Sequence, residues 1–102
     1  MALVRAIYEI TRQLPSSEIY GLTAQMRRAA VSIPSNIAED AARECAKEFA
    51  HFLSIAKGSL SELETQILIA QELGYFRKTA DILDQTDRVS CLLAGLHKSV
   101  KT

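Results

Sequence analysis

From Phe49 to Gly74, apolar or small residues fall at Phe49, Leu53, Ala56, Leu60, Leu63, Ile67, Ala70 and Gly74, with spacings that alternate between four and three. An α-helix puts such a series on one face, and a seam this long is what a helix offers to antiparallel partners. A second stripe, Phe52, Ile55, Ile69 and Leu73, runs beside it. One core face does not need both. The second is expected to meet another helix of the same chain or another subunit. Gly74, followed by Tyr75, is placed to cap the C-terminal end of this helix.

The rest of the chain reads as three further helices around that one. Leu3, Ile7, Ile10 and Leu14 share a face, which predicts a first helix from near the start to about Leu14. Pro15 ends it, because the residue before a proline is pushed out of the α region. Ser16 and Ser17 then read as N-caps. A second helix starts between Ser17 and Leu22, with Gly21 as a weak point and a stripe of Leu22, Met26, Ala29 and Ile33. Pro34 falls inside its pattern, which resumes at Ile37, Ala38 and Ala41. Either the helix breaks there and restarts with Ser35 as a cap, or it continues with a kink. The kept apolar phase favours the kink. A fourth helix runs from about Lys78 to the end, on Ile82, Thr86, Val89, Leu93, Leu96 and Val100. Asp81, Asp84 and Asp87 near its start and Lys98 and Lys101 near its end suit the helix dipole.

The pattern therefore predicts an all-α, up-and-down four-helix bundle, one domain over residues 1–102. A chain this short covers only about two-thirds of its unfolded surface on folding, so surplus apolar surface is expected to be covered by self-association. Twelve basic and twelve acidic residues give zero net charge, which excludes a nucleic-acid coat protein working by bulk positive charge but leaves room for a local basic patch. No apolar run approaches the roughly 20 residues of a membrane span. The first residues lack the apolar core of a secretion signal, so the cytoplasm is the expected compartment. Cys45 and Cys91 stand outside any CxxC or Cys/His cluster and read as reduced structural thiols.

Residues 18–43, EIYGLTAQMRRAAVSIPSNIAEDAAR, and 47–76, KEFAHFLSIAKGSLSELETQILIAQELGYF, carry a resemblance. The match centres on YGLTAQMRRAAVSIPSNIAE, with KEF, FLSIA, GSLSELET and LGY downstream, and covers roughly Tyr8 to Phe76. It resembles the four helix bundle protein family, also called the ribosomal-RNA intervening-sequence protein family. More distantly it is like the accessory proteins of diversity-generating retroelements. The resemblance implies an up-and-down bundle assembling as a ring-like homopentamer, and a role beside RNA or a nucleic-acid-handling protein. The family carries Gly where this chain has Asp40, and further residues, often with a Trp, ahead of this start. The first helix is therefore expected to be short here, or the true start to lie upstream.

Arg27 and Arg28, with Arg43, Lys47 and Lys57, are the candidates for a functional patch, since arginine binds phosphate in a bidentate way. In a ring each would recur from subunit to subunit and gain by multivalency. The competing reading pairs them with Glu39, Asp40, Glu44 and Glu48 within or between subunits. Tyr20 is the one aromatic near them in sequence that could stack on a base. Around Pro34, Ser32, Ser35 and Asn36 read as side chains that satisfy backbone groups the proline frees. Glu48 and His51 form one Glu-x-x-His pair, but a di-iron bundle needs two with two further Glu. No Ser-His-Asp order, phosphate loop, dinucleotide fingerprint or zinc spacing occurs. The expectation is a non-enzymatic oligomeric scaffold or adaptor, with no cofactor and no metal. Its partners are expected to be its own copies and RNA or a nucleic-acid-binding protein, with no membrane. The alternative is a purely structural or protein-binding homo-oligomer whose arginines serve subunit contacts.

Overall fold

The computed structural model describes residues 2–41 and 46–101, with side chains for 2–38 and 47–98. Four α-helices account for most of them: α1 (Ala2–Ile10), α2 (Leu22–Ala41), α3 (Ala46–Glu72) and α4 (Ala80–Lys101). No strand occurs among the described residues. The long axis measures 44 Å, and the other two 24 and 18 Å. That length is set by α3, whose 27 residues span about 40 Å at a rise of ~1.5 Å each.

α3 packs on α2 and on α4, α1 packs on α2, and α1 closes onto α4. Each helix thus meets its neighbours in sequence, and the first meets the last. The seam explains the arrangement: Leu53, Ala56, Leu60, Leu63, Ile67 and Ala70 are all buried. Leu3 and Ile7 from α1, Met26, Ala29, Ala30 and Ile33 from α2, and Ile82 and Leu93 from α4 join them in one core. Within the predicted stripes, Ala38 of α2 lies exposed, as do Gly74 at the end of the seam and Ile55, Ile69 and Leu73 of the second stripe.

The ends of α3 and α1 show how local chemistry sets the corners. Gly74 has φ +81°, its N–H reaches the Gln71 carbonyl at 3.0 Å, and the Tyr75 N–H reaches that of Ala70 at 2.9 Å. These two bonds form a Schellman cap, with glycine where a left-handed residue is required. α1 ends at Ile10 rather than near Leu14 and tightens into a 3₁₀ turn, Thr11–Gln13. Leu14 is extended, with ψ 145°, as the proline after it demands.

A second 3₁₀ turn, Ser16–Glu18, precedes α2. Ser16 and Ser17 lie inside it and are not caps; Pro15 occupies its N-cap position. Gly21 supplies the carbonyl that accepts the Gln25 N–H at 3.0 Å, so α2 opens on a residue with no side chain to cap it. α2 then runs on through Pro34 without a break or a restart at Ser35. α4 begins two residues later than the pattern suggested, on Thr79, whose carbonyl accepts the Leu83 N–H while its hydroxyl donates to Gln71 Oε1 at 3.0 Å.

Candidate nucleic-acid interface

The two adjacent arginines of α2 do not share a face, because successive helical residues point about 100° apart. Arg28 is exposed. Arg27 is half-buried and turned toward α1. Its Nε donates to Thr11 Oγ1 at 2.9 Å, and its guanidinium carbon sits 4.7 Å from the centre of the Tyr8 ring. Thr11 is itself buried, sharing its hydroxyl hydrogen between the Ile7 carbonyl at 2.7 Å and the Tyr8 carbonyl at 3.2 Å. The hydroxyl oxygen is thereby oriented to accept from Arg27. Hydrogen bond and cation–π contact together fix the plane of the guanidinium.

Among the described residues Arg27 contacts a threonine and a tyrosine; of the acidic residues expected to neutralise it, Glu44 and the side chains of Glu39 and Asp40 lie outside the described residues. Tyr8 is 40% exposed, so an aromatic face does lie beside the arginine, contributed by α1. Sequence spacing pointed to Tyr20 instead. Tyr20 is 95% exposed, in the connection ahead of α2. The signal for Tyr8 and Thr11 was their three-residue spacing, which puts both on the flank of α1 beside the apolar stripe. Nothing in the sequence shows that Arg27 would pack against that flank. Val4, Arg5, Tyr8, Val31 and Pro34 line an adjoining open groove of about 440 Å³, so this side of α1 and α2 combines apolar surface with cations.

The other candidates lie apart from Arg27. Lys47 and Lys57 are exposed on α3, and Lys57 Nζ is 3.3 Å from His97 Nδ1 on α4. Arg43 lies outside the described residues, as do Cys45 and the side chains of Glu39 and Asp40. Cys91 is a free thiol on the surface of α4, not a buried structural one.

The polar group around Pro34 faces α3. Ser32 and Ser59 share a hydrogen bond of 2.9 Å, and Asn36 Nδ2 donates to the Ser32 carbonyl at 2.7 Å and to Ser32 Oγ at 2.9 Å. Asn36 thus serves a backbone carbonyl, two positions beyond the Ala30 carbonyl that loses its helical donor at proline. Ser35 is exposed and Pro34 half-buried.

Among the described residues no group of three or more His, Cys, Asp or Glu is placed to hold a metal ion. No described helix is long and apolar enough to cross a membrane. The sequence profile of the family described as 23S rRNA-intervening sequence protein matches residues 1–95. No curated protein matches the chain.

Proposed function

Since the chain belongs to the 23S rRNA-intervening sequence protein family, we propose that it is a non-enzymatic oligomeric scaffold that binds RNA through the arginine-bearing side of α1 and α2. The observation that carries this reading is Arg27, a guanidinium that, among the described residues, is held in place by a hydroxyl and an aromatic ring and not by a carboxylate. A cation fixed without a counter-charge has its ordering cost already met and its donors available for phosphate. Tyr8, exposed beside it, offers a stacking face for an unpaired base. The family's name points to a setting where ribosomal RNA is at hand.

Self-association belongs to the same proposal. Ile55 and Ile69 on α3 and Leu73 just past its end are 38, 45 and 56% exposed, a stripe that stays uncovered among the described residues. A second copy is the occupant that hides it in every subunit at once. The family resemblance supports a homopentameric ring as the assembly, in which a bend of α2 at Pro34 would set the curve of the outer face. Multivalency around such a ring would make one or two phosphate contacts per subunit sufficient. The exposed stripe also supports the second reading, a purely structural homo-oligomer, if RNA proves not to bind.

The test is fluorescence anisotropy of the purified protein with a structured ribosomal RNA fragment across a salt series, with light scattering on the same sample. Binding that weakens steeply with salt is expected, and Arg27→Ala with Arg28→Ala should weaken it while leaving the subunit number unchanged. Arg28→Ala alone keeps the test usable should loss of the Thr11 contact unfold the double variant. An intact oligomer that ignores RNA at low salt, or a double variant that changes subunit number first, transfers the arginines to assembly.

A further inference from the structure

A small pocket of about 170 Å³ lies where the two 3₁₀ turns meet the first turns of α2. Arg12, Arg27, Thr11, Ser16 and Thr23 provide its polar lining, and its only ionisable groups are the two arginines. Thr23, 6% exposed, adds a hydroxyl-bearing side chain to that lining. Arg27 enters already immobilised, with Nε used by Thr11, so the donors left to it are its two terminal nitrogens.

Glu18, close in sequence, does not line the pocket; its carboxylate lies beside Gly21 and near Tyr75. The pocket also opens at the N-terminal end of a 20-residue helix, where the dipole and unpaired N–H groups favour an anion. At a liquid share of ~30 Å³ per water, the volume equals about five or six waters, which is room for a tetrahedral oxyanion and its hydration.

We infer that this pocket receives one phosphate group, gripped between Arg12 and the terminal nitrogens of Arg27, with Thr23 and Ser16 donating to its remaining oxygens. That the phosphate is a backbone phosphodiester of RNA rests on the function proposed above; the pocket itself does not. The inference separates the two arginines of α2: Arg27 makes a built contact together with Arg12, while Arg28 adds only diffuse charge.

Two arms test it on the full-length chain. In the first, thermal unfolding is followed with rising inorganic phosphate, against chloride at matched ionic strength. The wild-type midpoint should rise with phosphate, and the rise should vanish in Arg12→Gln and in Thr23→Val, neither of which touches the Arg27–Thr11–Tyr8 contacts. In the second, RNA anisotropy is repeated with these variants. Arg12→Gln should lower the slope of log affinity against log salt by about 1, the loss of one phosphate contact, and Arg12→Lys should recover part of it. No phosphate-specific rise in the wild type, or an equal rise in the variants, overturns the pocket. If RNA then still binds, the proposed function survives without it. A phosphate response lost in both variants, with no RNA binding by the wild type, keeps the pocket and removes RNA as the source of the phosphate.

Discussion

α3 has two apolar faces, and they meet opposite fates. Along one, six residues from Leu53 to Ala70 are 2% exposed or less; along the other, Ile55, Ile69 and Leu73 stay open to solvent. Hydrophobicity alone does not distinguish them, since isoleucine and leucine occur on both. The difference lies in spacing. The buried series keeps the three-four alternation without a gap, so α2 and α4 can both rest on it, whereas the second stripe skips from Ile55 to Ile69 with Glu62 between. A continuous seam organises the chain's own helices, and the interrupted one stays exposed.

The comparison breaks most sharply at Leu63, fully buried in the middle of the seam. Leu63→Ala should cost about 2–5 kcal/mol, the usual loss for a truncated core leucine. Denaturant unfolding measures it, and a wild-type midpoint would show that the seam is not the core. Next comes the end of the helix. Gly74 holds φ +81° with open space around it, so Gly74→Ala meets no neighbour and is resisted by backbone conformation alone. The expected cost is about 1–2 kcal/mol. A neutral result would mean that the cap does not hold the corner between α3 and α4.

The second stripe should respond in the opposite way. Ile69→Ser with Leu73→Ser removes exposed apolar surface, so under dilute conditions the stability of one subunit should change by no more than about 0.5 kcal/mol per site. The effect should appear in light scattering instead, as a fall in subunit number. Loss of folding with mass unchanged would place these residues in the core and sink the proposed interface.

How much of this was legible beforehand follows from the same contrast. The seam of α3, its glycine cap, and the buried faces of α1 and α4 were readable because each is a periodic statement about one helix. The 3₁₀ turns before α2 were not, because Pro15 marks where a helix stops but not how the chain turns back. The site was least legible. Arg27 and Arg28 are neighbours in sequence and read as one patch, yet the helix sends one against Thr11 and Tyr8 and the other to solvent. Arg12 and Thr23 carry no signal of their own, and Thr11 only its spacing from Tyr8; they line one pocket only when the turn after α1 is laid against α2. Periodicity reports the partner-facing side of each helix, not which polar residues two helices bring together.

The smallest expected effect lies just past the cap. Tyr75, half-buried, has its phenol held above the usual tyrosine range, first by burial and then by the nearby Glu18 carboxylate. Both causes favour the protonated form in the folded chain. Below the unfolded pKa of ~10 the phenol keeps its proton in both states, and the contribution is fully present. As pH rises through that value, the unfolded chain releases the proton first, and the stabilisation is progressively lost as pH passes through the higher folded pKa. Tyr75→Phe removes this dependence together with the hydroxyl that faces Glu18. Its stability should lie below wild type near neutrality, and the gap should narrow as the pH is taken above 10. Unfolding curves for the two proteins across that range decide the matter, and a constant gap would mean that Glu18 and Tyr75 do not hold the 3₁₀ turn to the end of α3.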